Sequence, residues 1–112
     1  IYKTGALFGS HVPVDFIALS LGVGASEVHL KYDVCTTSRV NCIHAAGMRS
    51  MAWFRGPIGM KDDVTHKYFD VGNEDDDMYL AVMKTGVWSM CVNRPDVILA
   101  LMRKLKKRSW SV

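Results

Sequence analysis

Apolar positions change their spacing several times along the chain, and each change marks a candidate element. The sharpest alternation runs over 27–36, where Val28, Leu30, Tyr32 and Val34 interleave with Glu27, His29, Lys31 and Asp33. A period of two sends successive side chains to opposite faces of a strand, one buried and one wet. A parallel strand covered on both faces would be apolar throughout, so this pattern predicts an antiparallel sheet. The runs 78–83 and 87–92 bracket Lys84-Thr85-Gly86 and predict a hairpin, with Trp88, Met90 and Val92 on one face of its second strand. The Val, Tyr and Phe content of 64–71 predicts a further strand.

Helical spacing dominates the C-terminal stretch. Val97, Leu101 and Leu105 recur at i, i+4 and i+8, with Ile98 and Met102 beside them, so one stripe is apolar. Asn93 suits an N-cap, Pro95 suits a first turn that needs no N–H, and Asp96 complements the positive end of the dipole. Pro13 followed by the apolar run 14–22 is read as a short helix ending near Gly22, with a buried strand nearly as good a reading because short apolar runs fit both. Between 37 and 54 two readings stand: a helix capped by Ser38 and carrying Val40, Cys42 and Ile43, or a strand beginning at Val40. Arg55-Gly56-Pro57-Ile58-Gly59 reads as a turn. With no repeat or boundary in view, residues 1–112 are expected to form one α+β domain. Its antiparallel sheet of about four strands would carry the basic C-terminal helix and one or two further helices.

Composition narrows the class. A hydrophobic share of 49% and a charged share of 22% are those of a globular protein and exclude a disordered one. No apolar run approaches the roughly 20 residues of a membrane span. The chain opens on Ile1 without a basic or apolar leader, which suggests a fragment or a processed product. Three cysteines and no Asn-x-Ser/Thr sequon point to an intracellular, cytoplasmic-type reducing environment.

The net charge of +3 conceals a polarity that composition alone does not show. Residues 61–92 carry three Lys/Arg against seven Asp/Glu, and residues 93–112 carry six against one. Arg103, Lys104, Lys106, Lys107 and Arg108 crowd the end of the last helix, with Trp110 beside them. Such a cluster can neutralise phosphates while the aromatic stacks on a base, or it can meet an anionic membrane surface. It can also do no more than complement the helix dipole and keep the chain soluble. The acidic 62–77 region would serve a protein partner or self-association.

Other candidate chemistry is thinner. Cys35, Cys42, His44 and Cys91 have the atoms for zinc but not the close pairing of ligands that structural sites use, so no metal is expected. Gly22-Val23-Gly24 is followed by Glu27, an anion where a dinucleotide's pyrophosphate would sit, and no cofactor is expected either. The Asp75-Asp76-Asp77 run lacks the alternating oxygen ligands of a calcium loop. Cys42-x-His44 offers a thiol beside an imidazole and sustains one enzymatic alternative, a small thiol-dependent hydrolase. The leading expectation is a non-catalytic binding and assembly module, such as a small viral structural or accessory protein of the matrix kind, whose basic C-terminal helix contacts nucleic acid or an anionic membrane surface. A self-associating structural protein without a ligand is the third class.

Overall fold

The computed structural model describes residues 4–54 and 74–110, with side chains through residue 106. Strands and helices alternate: β1 (Gly5–Phe8), α1 (Phe16–Gly22), β2 (Glu27–Lys31), α2 (Thr37–Ala45), β3 (Arg49–Trp53), α3 (Asp76–Met83), β4 (Ser89–Cys91) and α4 (Pro95–Trp110). The strands form one sheet in the order β1-β2-β3-β4, and every pair is parallel.

The expected antiparallel sheet is therefore wrong, and the reason lies in what covers it. Consecutive parallel neighbours need a right-handed crossover each time, which sends every connecting helix to the same face. On that face Val28, Leu30, Ser50 and Ala52 are buried together with Val40 and Ile43 of α2. The opposite face carries Glu27, His29, Arg49 and Met51, none of them buried. One covered face and one open face produce the same alternation as an antiparallel sheet. The alternation was real; the direction inferred from it was not.

The hairpin expected over 78–92 is also corrected. Its first arm is α3, where Asp75 caps the helix by accepting from the Met78 N–H at 2.9 Å. Lys84-Thr85-Gly86 closes that helix and returns the chain to β4. The strand expected over 64–71 lies outside the described residues. The strand beginning at Glu27 ends at Lys31, five residues before the alternation does.

The open choice over 37–54 resolves into both elements in succession. Thr36, not Ser38, caps α2 by accepting from the Arg39 N–H, and β3 follows at Arg49. Between them Gly47 adopts φ +82°, and Gly86 does the same between α3 and β4. Each is the left-handed residue that ends a helix and turns the chain toward the sheet. The helices expected over 14–22 and 93–108 are present as α1 and α4, so among the described residues three further helices accompany the C-terminal one. No helix among the described residues is long and apolar enough to cross a membrane.

Polar groups tie the layers where apolar contact leaves gaps. Ser50 Oγ lies 2.8 Å from His44 Nε2 and accepts from the Trp88 N–H at 2.9 Å, joining α2, β3 and the start of β4. Ser89 Oγ reaches the Ser50 carbonyl. Ile43 is fully buried under the middle of this assembly. Ile43→Ala should lower unfolding free energy by about 2–5 kcal/mol, the usual cost of a buried aliphatic cavity. Urea melts should show a reduced midpoint at unchanged m-value.

Candidate active site

Every strand of a parallel sheet ends at the same edge, and the loops that leave it gather there. Ligands of α/β sheets and barrels bind at that carboxyl edge because several loops can converge on one small volume. Here the edge is formed by Ser10 and His11 after β1, Lys31 and Tyr32 at the end of β2, Trp53 and Phe54 at the end of β3, and Asn93 and Arg94 after β4.

Lys31 is the unexpected member. Only 6% of it is exposed, yet it is an ammonium at a strand end, and its Nζ donates to Ser10 Oγ at 3.1 Å. Trp53 is its register partner on β3, and Cys91 is Trp53's partner on β4. Trp53 Nε1 is buried without a hydrogen-bond partner among the described residues. An indole can only donate, so this N–H is a buried donor on the strand next to Lys31. A buried donor lacking an acceptor costs free energy, which an anion at this edge would recover.

A rigid base lies beside them. Tyr32 stacks on Phe54 with centroids 5.3 Å apart, and Phe54 meets Tyr79 edge-on at 4.9 Å. Tyr79 is fully buried and donates its hydroxyl to Glu74 Oε1 at 2.5 Å. The Asn93 N–H donates to the same oxygen at 3.1 Å, and Asn93 Nδ2 donates to Oε2 at 2.7 Å. The Arg94 N–H in turn donates to the Tyr79 hydroxyl. A carboxylate with 1% exposure thus receives three hydrogen bonds and locks the segment before α3 to the turn before α4. Asn93, expected as a helix cap, donates to this carboxylate from both its backbone and its side chain, and the helix starts at Pro95.

The residues singled out from sequence lie elsewhere. Arg103, Lys104 and Lys106 are exposed on α4, beginning eight residues beyond Pro95, roughly 12 Å along the helix. Lys104 pairs with Asp76 at 3.4 Å across to α3. Lys107, Arg108 and Trp110 continue the same helix. Of the acidic 62–77 stretch, only Glu74–Asp77 is described: Glu74 is the buried acceptor, and the three aspartates open α3.

The local pairing of Cys42 with His44 fails on geometry. Cys42 and His44 fall on a helix, where residues two apart do not face each other, and His44 is engaged by Ser50. Cys35 is buried against Thr85, and burial pushes its thiol up, away from the reactive thiolate.

No protein-family model matches the chain, and no curated protein matches it. Among solved structures, it is similar to a crystal structure from Galdieria sulphuraria of a protein assigned as a glycerophosphodiester phosphodiesterase. The TM-score is 0.67 at 21% identity, over 93% of this chain and 35% of that one. The chain thus spans about a third of that protein's length. At this identity the likeness establishes fold: four consecutive βα units laid out as in an arc of a TIM-like barrel. It also corrects the leading sequence reading. The neighbour is a phosphodiesterase, which conflicts with a non-catalytic, matrix-like assembly module, and the likeness lends no support to a viral structural or RNA-binding protein.

Burial, the bond to Glu74 and the carboxylate's charge all push the Tyr79 phenol well above its ordinary value of 10.0. The native state therefore keeps a proton that the unfolded chain loses, so this contribution is complete below the unfolded value and declines as pH rises past it. Urea melts of the wild type at about pH 8 and about pH 11 should show a loss of stability that Tyr79→Phe reduces. An identical pH dependence in that variant would dismiss the phenol as its source.

Proposed function

We propose that this chain forms the phosphate-holding arc of a βα-barrel phosphodiesterase. The observation that carries the reading is the buried Lys31 ammonium on the strand beside a Trp53 indole N–H that has no hydrogen-bond partner among the described residues. They occupy one register level at the carboxyl edge of an all-parallel sheet. The activity assigned to the structural neighbour, cleavage of glycerophosphodiesters, supplies the substrate class.

A phosphodiester carries one negative charge over two non-bridging oxygens, and charge builds on them as the attacking oxygen adds. Donors fixed beforehand stabilise that charge without reorganising at the moment of reaction. Lys31 supplies a full positive charge in a poorly hydrated setting, where it acts more strongly than in water. Ser10 holds the ammonium in place, and Trp53 supplies a directed neutral donor. The exposed His11 follows Ser10 in the loop after β1 and would be the proton carrier. The Glu74 knot holds the turn after β4 still, so the edge keeps its shape when a ligand arrives.

Binding is the direct test, followed by ³¹P NMR titration with inorganic phosphate and with bis(p-nitrophenyl) phosphate. The loss of a charge-assisted contact should weaken binding by roughly 10- to 100-fold in Lys31→Met. Trp53→Phe should weaken it by roughly 3- to 10-fold. Lys104→Gln, a change to an exposed surface pair, should leave it within about twofold. Equal affinities for the wild type and Lys31→Met would refute the assignment.

A further inference from the structure

The outer face of α4 shows solvent apolar and cationic side chains together. Leu101 is buried in the core with Val97, Ile98 and Leu105 packed against that core, so the helix docks by its predicted stripe. Leu99 and Met102 are left half-exposed, and Arg103 and Lys106 are exposed beside them. At about 100° per residue, these four fall within roughly 100° of arc on the side of α4 away from Leu101. Lys104 lies outside that arc, toward α3, where it pairs with Asp76 at 3.4 Å. On its other flank the stripe runs into an open apolar groove of about 400 Å³, lined by Met102, Ile98, Met90 and the half-exposed Trp88.

Cations near a helix C-terminus complement its dipole, but the dipole does not account for apolar side chains exposed among them. The other exposed helix face is different in kind. Leu19 and Leu21 lie in the stretch 13–26, whose only charge is Asp15. We propose that the outer face of α4 docks on an anionic lipid bilayer. The helix lies in the plane of the interface, with Leu99, Met102 and Trp88 at the level of the acyl chains and Arg103 and Lys106 at the lipid phosphates.

The mixture of side chains selects this occupant. Residues 93–112 carry six Lys/Arg against one Asp/Glu, so the partner must supply negative charge. An apolar partner surface would strip water from Arg103 and Lys106 without replacing it. A polyanion with no apolar phase would leave Leu99 and Met102 in water. An anionic bilayer meets both demands at once, because the long stems of Arg103 and Lys106 can lie along acyl chains while their charged heads stay among the headgroups. Lys107 and Arg108 continue the helix and add to the attraction.

Co-sedimentation of the full chain with large unilamellar vesicles tests this. Vesicles holding about 30% phosphatidylserine should bind it roughly tenfold or more tightly than pure phosphatidylcholine, and added salt should weaken that binding. Arg103→Gln/Lys106→Gln should weaken it by roughly 10- to 30-fold. Leu99→Ser/Met102→Ser, which leaves the charge unchanged, should weaken it by roughly 5- to 20-fold. All four positions are exposed, so both variants should keep the wild-type circular dichroism. A wild type that ignores the anionic vesicles overturns the proposal. Undiminished binding by Leu99→Ser/Met102→Ser overturns it equally, because charge alone would then suffice and single-stranded RNA would serve as well as lipid.

Discussion

Parallel neighbours cannot be joined by a tight turn, and that constraint shapes the rest of this molecule. Each strand must be followed by a return path long enough to carry the chain back to the starting edge, and the path is a helix. Because consecutive crossovers share one hand, the helices stack on one face and leave the other bare. The same constraint delivers every strand end to a single edge. Lys31, Trp53 and Cys91 are distant in sequence and level in space for this reason alone.

Around that edge, buried polarity is arranged in two contrasting ways. Glu74 is saturated: a phenol, an amide and a backbone N–H converge on its two oxygens, and the group behaves as a fastener. A buried carboxylate is tolerated only when satisfied in this manner, and removing any one donor would leave a costly remainder. Trp53 is the opposite case, a buried donor with nothing to receive its proton among the described residues. Natural proteins keep such deficits where something else completes them. Close to one another, the two groups separate what holds the edge rigid from what makes it receptive.

How much of this could be read from the residues depended on whether the signal was local. The amphipathic stripe of α4 and the half-buried strand from Glu27 are legible because period is a local property, whereas the short apolar run before Gly22 fits helix and strand alike. Strand direction is not local. A parallel sheet open on one face has the same alternation as an antiparallel one, so β2 misled about its partners. A further signal did lie in the text. Gly47-Met48-Arg49-Ser50-Met51 and Gly86-Val87-Trp88-Ser89-Met90 share a Gly-x-x-Ser-Met pattern, each opening a strand after a helix, and Gly24 stands before β2 in the same place. Read as repeated helix-to-strand returns, they indicate βα units and exclude the hairpin. Lys31 passed as the wet side of a strand, since nothing in sequence says that a strand's last polar residue ends under a loop. The basic end of α4, prominent in composition, sits well along its helix from the edge where the chemistry gathers.

The strictly sequential strand order also governs how the structure is acquired in time. Each strand docks on the one made just before it, as the pairs Gly5↔Glu27, Glu27↔Arg49 and Met51↔Ser89 show. The first two pairings close over 22 residues and the last over 38, which raises the entropic cost of the final closure by about 0.5 kcal/mol. A chain emerging from the ribosome can thus lay down β1 to β3 as a growing ladder, with none of the described strands waiting for a distant partner. β4 and α4 come last, over the longest closure. The Glu74–Asn93 bonds, which no earlier stage can form, are the latch that sets only when the whole arc has been made.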